Sequence, residues 1–227
     1  MTVDVARFHG DGFLAFDRLI GTDDVRAIGA AFDTLLADNA DTDRMLGGVT
    51  RQILLPCRYH ATFRENAALS AGREIARQLL GTDAPKFVYD QLLYKPPRHL
   101  VETPWHQDLA YFKVPFLTPR PYTDSSTVQF WVALDDVDAS TGCMHFIPRK
   151  HERELFPHRV ASGDESHDSR LLEIVEPERY LDLSEAIACP MQAGGATVHG
   201  ETTPHFTSAN TSHDRRRRAY IFNFAKP

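Results

Sequence analysis

The feature that most constrains this chain is a change in the spacing of its apolar residues near position 86. Before that point apolar residues recur at three- and four-residue intervals, the period of one helix face. After it they alternate, the period of a strand. Thr22-Asp23 can cap a helix running to about Ala37, with Val25, Ile28, Phe32, Leu35 and Leu36 on one stripe. A second helix is expected from about Glu65 to Leu80, with Leu69, Ile75, Leu79 and Leu80 inward and Gly81 as its stop. From Lys86 the segment KFVYDQLLYK is β-rich and closes at Pro96-Pro97. Residues 127–137 place Val128, Phe130, Val132 and Leu134 on one face and Gln129, Trp131 and Ala133 on the other. Segments 194–199 and 216–225 add further short strands.

Amphipathic helices need an apolar surface to lie on, and a sheet supplies one. The fold class expected is mainly β with flanking helices (α+β), an antiparallel barrel or double sheet with the N-terminal helices packed outside. One domain over 1–227 is expected, mainly helical over 1–85 and sheet-forming over 86–227. Residues 38–50, with Gly47-Gly48, read as a loop, and the polar stretch 160–182 reads as an excursion or lid-like loop.

A formal net charge of −6 argues against non-specific nucleic-acid binding. The N-terminus has no apolar leader core, and no stretch is long and apolar enough to span a membrane. Cys57, Cys143 and Cys189 stand at unrelated spacings and form no zinc pattern, so they read as plain thiols. A reduced, cytoplasmic setting without membrane or nucleic-acid partners is therefore expected.

The chemistry centres on Trp105-His106-Gln107-Asp108. On an extended segment a His and an Asp two apart share a face, and an imidazole with a carboxylate can take adjacent positions on a metal. One more His completes the two-His, one-carboxylate set of non-haem Fe(II) oxygenases, which leaves other metal positions open. The pattern alone decides little, because with 11 His and 31 acidic residues chance supplies about 1.5 such triplets. Three occur. His9-Gly10-Asp11 lies in a glycine-punctuated approach to the first helix and reads as a turn. His199-Gly200-Glu201 ends a strand with its acid turned into a loop. His106 and Asp108 have the better strand context. Far along the chain, His205 is followed by the run Arg215-Arg216-Arg217-Arg218, which leads straight into the strand AYIFNF. A basic run is ordinarily a solvated face. One that enters a strand turns at least one Arg inward, where it can form a bidentate salt bridge to a carboxylate.

These residues reach a known pattern. The chain resembles the phytanoyl-CoA dioxygenase-like (PhyH) family of Fe(II)/2-oxoglutarate-dependent oxygenases in four blocks. They are YDQLLYKPP (89–97), WHQD (105–108), FWVALDDVDASTGCMHFIPRKH (130–151) and GGATVHGETTPHFTSANTSHDRRRRA (194–219), in the family's order and spacing. The resemblance implies a double-stranded β-helix (jelly-roll, cupin-like) core, iron held by His106, Asp108 and His205, and 2-oxoglutarate as co-substrate. It implies O2 and a small organic molecule as the other reactants. Arg217 is the expected clamp for the far carboxylate of 2-oxoglutarate, with Arg216 the alternative because the preceding loop carries one extra residue; Arg215 would share the face of Arg217. Thr207, Gln91, Lys95 and Trp131 match positions around the co-substrate, and Gln129 one near the substrate. The sequence departs from the pattern at Gly195, where Asp is usual, and at Arg149-Lys150, where Gly-Ser is common before His151.

The implied activity is hydroxylation of an unactivated C–H bond. Related halogenases carry a small residue at the carboxylate position, and Asp108 fills it. Two other readings fit a jelly-roll with these ligands: a cupin-type metal enzyme that uses no 2-oxoglutarate, and a small-molecule-binding module without turnover. Neither needs a carboxylate clamp one strand beyond the last ligand.

Overall fold

A computed structural model describes residues 2–38, 43–46, 50–112, 127–150, 155–161 and 171–227 of the chain. Two antiparallel sheets carry it. The larger runs in the order β1 (Phe13–Phe16), β11 (Ala196–Gly200), β6 (Thr127–Ala133), β13 (Arg217–Ala225), β4 (Lys86–Lys95), β3 (Thr50–Leu54) and β2 (Asp43–Leu46). The smaller runs β10 (Ile187–Cys189), β7 (Met144–Phe146), β12 (His205–Thr207) and β5 (Thr103–His106). A separate pair joins β8 (His158–Val160) to β9 (Leu172–Ile174). This is the mainly antiparallel jelly-roll architecture expected, as two facing sheets and not a closed barrel.

Helices α1 (Val5–Asp11), α2 (Thr22–Asp38) and α3 (Ala67–Leu80) flank this core, and a short α4 (Asp108–Phe112) follows β5. The stripe of α2 buries Ile28, Phe32 and Leu35, with Val25 and Leu36 packed at its margin. Helix α3 starts at the Asn66 side chain, which accepts from the Leu69 amide, and ends at Gly81 in the left-handed conformation that favours glycine. Its inward residues Leu69, Ile75, Leu79 and Leu80 meet the sheet residues Val128, Phe130, Val132, Phe222 and Phe224. The opposite faces of the same strands, with Trp131, Ala133, Ala219 and Ile221, pack with Met144 and Phe146 of the smaller sheet. Strands β6 and β13 are thus buried on both sides. One face holds the helices, and the other looks into the space between the sheets.

Three expectations change. Within the stretch 38–50 expected as loop, residues 43–46 form β2 and Thr50 opens β3; the two pair, and β3 extends the larger sheet past β4 through Arg51↔Tyr94 to Leu54↔Gln91. Glycine and charge in that stretch hid strands whose partner lies in another part of the chain. The triplet His9-Gly10-Asp11 is not a turn but the end of α1, which stops at Gly12 (φ 86°). Within the polar stretch 160–182, Leu172–Ile174 form β9 and Pro177–Arg179 a short 3-10 helix, while 162–170 lie outside the described residues, as does His151.

Candidate active site

His106 is the last residue of β5, and Asp108 is the first of α4, so the two do not share one strand face as the triplet spacing implied. The chain turns between them, and they converge by that turn. His205 opens β12, directly opposite His106 in the pairing register. The Nε2 atoms of His106 and His205 stand 3.8 and 3.6 Å from Asp108 Oδ1. One ligand atom from each of the three residues falls within 4.8 Å of the others, and all three side chains are buried.

The imidazoles are oriented from behind. His106 Nδ1 lies 2.8 Å from the Pro104 carbonyl and His205 Nδ1 2.9 Å from the Thr203 carbonyl. A carbonyl only accepts, so each Nδ1 carries the proton and each Nε2 presents a lone pair to the common centre. Burial keeps both imidazoles from protonating at their ordinary pKa. For Asp108, burial alone would push the carboxyl up, but the facing His205, the hydrogen bond from His199 and the charges of His199 and His106 outweigh it and hold it below the usual carboxylate range. Two neutral imidazoles and an ionised carboxylate are the protonation states a divalent metal ion requires. The donor set suits iron with open positions.

A second charged cluster lies between the sheets. Arg217 pairs with Lys95 across β13 and β4, and both are buried. Lys95 Nζ donates to Thr207 Oγ1 at 3.0 Å and to the Ser208 carbonyl at 2.9 Å. Arg217 Nη1 makes a long contact of 3.4 Å to the Leu93 carbonyl, and its guanidinium sits 5.9 Å from the Trp131 ring centre. Its Nε and Nη2 have no partner at all. Burial, then the neighbouring Arg217 charge, brings Lys95 down to about 6, and burial brings Arg217 down to about 10. Arg217 is thus a buried cation with two unpartnered N–H groups beside a buried amine, and among the described residues no carboxylate hydrogen-bonds either, so an acid would complete the site.

The Arg run resolves by strand alternation. Arg216 is exposed, with both Nη atoms on the Asp33 carboxylate at 3.1 Å. Arg218 bonds Asp135 and the Gly29 carbonyl, tying the sheet to α2. Arg215 precedes β13 and pairs at the surface with Asp138, so it does not share the cavity with Arg217. Arg217 alone of the four turns inward.

The family profile of phytanoyl-CoA dioxygenase (PhyH) matches residues 8–219 of this sequence. The chain belongs to the phytanoyl-CoA dioxygenase family. Among curated relatives, a zebrafish (Danio rerio) phytanoyl-CoA dioxygenase domain-containing protein 1 is 29% identical over 140 residues, covering 61% of this chain and 44% of its own. The mouse (Mus musculus) peroxisomal phytanoyl-CoA dioxygenase is 25% identical over 177 residues, covering 70% and 50%. The chain spans about half the length of these relatives. Among solved structures, EvdO2 of Micromonospora carbonacea var. aurantiaca, complexed with 2-oxoglutarate, superposes with a TM-score of 0.82 at 27% identity, covering 100% of this chain and 92% of that one.

Within the PhyH frame, the structure gathers His106, Asp108 and His205 in one cluster and Lys95, Thr207, Arg217 and Trp131 in the next. Gln91 stands apart from the second cluster: it lies four residues before Lys95 on β4, opposite Ile221, and bonds Gln52. Gln129 bonds the Tyr89 hydroxyl at 3.0 Å and approaches His199 Nε2 at 3.4 Å. Two residues gain a place that the sequence did not indicate. His199 Nε2 lies 3.1 Å from Asp108 Oδ2, which leaves Oδ1 for the common centre. Gln107, wholly buried, donates to the Thr202 carbonyl and accepts from the Phe156 amide, fixing the turn between the two ligands.

The two departures from the family pattern stand in contrasting local settings. A Cβ on Gly195 would stand 3.0 Å from the Asp17 carbonyl oxygen and 3.0 Å from Met191 Cβ, so there is little room for a side chain. Arg149 stands where glycine is common, and its φ of 61° is the left-handed conformation that glycine adopts freely.

Proposed function

We propose that this chain is an Fe(II)- and 2-oxoglutarate-dependent dioxygenase that hydroxylates an unactivated C–H bond of a small organic molecule. The balance is substrate, 2-oxoglutarate and O2 going to hydroxylated product, succinate and CO2. The observation that carries this reading is the pair of unpartnered, buried nitrogens on Arg217, on the strand that faces the three-ligand cluster. A cupin-type metal enzyme without 2-oxoglutarate has no use for a buried carboxylate clamp.

His106, Asp108 and His205 would hold the iron through Nε2, Oδ1 and Nε2. Fe(II) and 2-oxoglutarate, when bound, supply the oxidising chemistry. Arg217 would take the far carboxylate of 2-oxoglutarate through Nε and Nη2. Thr207 accepts from Lys95, so its own hydroxyl proton is available to donate to the same carboxylate. Trp131 walls the site beside the guanidinium. Burial of all three metal ligands keeps water from the reacting centre. The intact Asp108 carboxylate occupies the position a halide would need, which supports hydroxylation over halogenation.

The test is anaerobic: add Fe(II) and 2-oxoglutarate and record the weak visible metal-to-ligand charge-transfer band. Wild type should show it and His205→Ala should not. No band in wild type, or an unchanged band in His205→Ala, rejects the site.

A further inference from the structure

The cavity face of the larger sheet carries a second set of polar atoms beyond the carboxylate clamp. Asn223 of β13 stands opposite Gln129 of β6, and Gln129 opposite His199 of β11. Its neighbours Phe222 and Phe224 turn the other way, into the helix-side core, so Asn223 faces between the sheets. It is 1% exposed, and neither its Oδ1 nor its Nδ2 has a partner. Buried amides are almost always hydrogen-bonded, because leaving them bare is costly. In the adjoining row Trp131 pairs with Thr197, and Trp131 Nε1 and Thr197 Oγ1 are likewise unpartnered and buried.

The Asn223 and Gln129 amides are not at the co-substrate clamp. Arg217 lies six residues back on the same strand, about 20 Å at strand rise, farther than an arginine side chain and a five-carbon diacid bridge together. They flank the metal cluster, because His199 at the end of the row bonds Asp108. Among the described residues, the row and those beside it are uncharged: Tyr89, Gln129, Asn223, Gln52 and Gln91. Among the described residues, the charged groups hydrogen-bonded at its margins are carboxylates, Asp108 through His199 and Glu201 through Thr127.

We propose that Asn223, with Gln129 and Tyr89, forms the substrate subsite, and that it takes a neutral molecule bearing hydroxyl groups. This rests on the oxygenase reading above. A hydroxyl both donates and accepts, which answers the Oδ1 and Nδ2 of one amide together. A carboxylate placed here meets two carboxylates and, among the described residues, no hydrogen-bonded cation. A hydrocarbon chain leaves Asn223, Thr197 and the Trp131 indole unsatisfied, and sites built to bond a hydroxyl reject analogues that lack it by large factors.

The probes are octyl glycosides, octanoate and octanoyl-CoA, each added to the Fe(II)- and 2-oxoglutarate-loaded protein, with succinate formation as the readout. Glycosides should stimulate succinate formation above both acyl compounds. Asn223→Leu should lower the glycoside kcat/KM at least tenfold, with the affinity for 2-oxoglutarate within twofold of wild type. Its Tm should stay equal or rise, since the amide has no hydrogen bond to lose. The proposal is overturned if octanoate or octanoyl-CoA stimulates as well as the glycosides, if no glycoside stimulates, or if Asn223→Leu leaves the glycoside kcat/KM unchanged. Failure of the oxygenase reading looks different, because wild type then shows no charge-transfer band.

Discussion

Replacing Arg217 by Met separates a ligand-binding guanidinium from a structural one, because the two roles predict opposite effects on the unliganded protein. A hydrogen bond to a charged group contributes about 1.5–3 kcal/mol. The two unpartnered donors, Nε and Nη2, then give roughly 3–6 kcal/mol toward a carboxylate. At about 1.4 kcal/mol per decade this is on the order of 10²- to 10⁴-fold in the Kd of 2-oxoglutarate. Without ligand, the same side chain holds a buried charge that no carboxylate among the described residues hydrogen-bonds, so Arg217→Met should keep or raise the Tm. Arg216 gives the contrast: its Asp33 pair is 44% and 42% exposed, worth less than about 1 kcal/mol, and Arg216→Ala should leave the Kd within about twofold. The assay is anaerobic titration of the charge-transfer band, with thermal melts alongside. At a hundred times Kd, 2-oxoglutarate should stabilise wild type by about 2.7 kcal/mol, roughly 5–11 °C for a chain of this size. That shift should vanish in Arg217→Met. The reasoning fails if Arg217→Met binds within threefold of wild type, if it loses several kcal/mol of unliganded stability, or if Arg216→Ala is as damaging.

Three further outcomes follow from the same contacts. Lys95 keeps its proton up to about pH 6 when folded and to about 10.4 unfolded. The unfolded chain therefore binds more protons between these values, and Lys95 makes stability rise with pH across that window by up to about 1.4 kcal/mol per unit; urea denaturation from pH 6.5 to 9.5 should show a shallower rise in Lys95→Met, and parallel curves would contradict the lowered pKa of the buried amine. His199→Phe removes the donor to Asp108 Oδ2 and should weaken Mn(II) or Fe(II) binding by about 10- to 100-fold, measured by metal titration, whereas unchanged affinity would mean Asp108 is held without it. Arg149→Gly relieves a left-handed backbone and should add about 1 kcal/mol; a lower urea midpoint would show that the arginine side chain compensates.

The helical stripes and the alternating strands were legible because each has an apolar face of its own. Ile28, Phe32 and Leu35, or Val128, Phe130 and Val132, announce their period within a dozen residues. Strands β2 and β3 were not legible: glycines interrupt the stretch, and β3 finds its partner in β4, some forty residues on. The three residues that could hold a metal stand out by residue type and context, yet Asp108 reaches the cluster otherwise than by a shared strand face. The ligand leaves the strand and starts a helix, a change of direction held by Gln107 through Thr202 and Phe156. His199 looked like a strand terminus because its bond to Asp108 spans 91 residues. The four arginines could be narrowed to two by counting. Only the pairing of β13 with β4, Arg217 against Lys95, puts one of them inside.

Strand β13 has a wider consequence. It is hydrogen-bonded on both edges, to β4 and to β6, and packed on both faces, so it cannot slide. A slip of one residue would swing Phe222 and Arg218 into the cavity and expel Arg217 and Asn223. The strand thus acts as a fixed ruler, with the Arg217 guanidinium at one end and the Asn223 amide six divisions away. On the proposed reading, related chains would change substrate by exchanging the side chain at a division. They cannot do it by moving the scale.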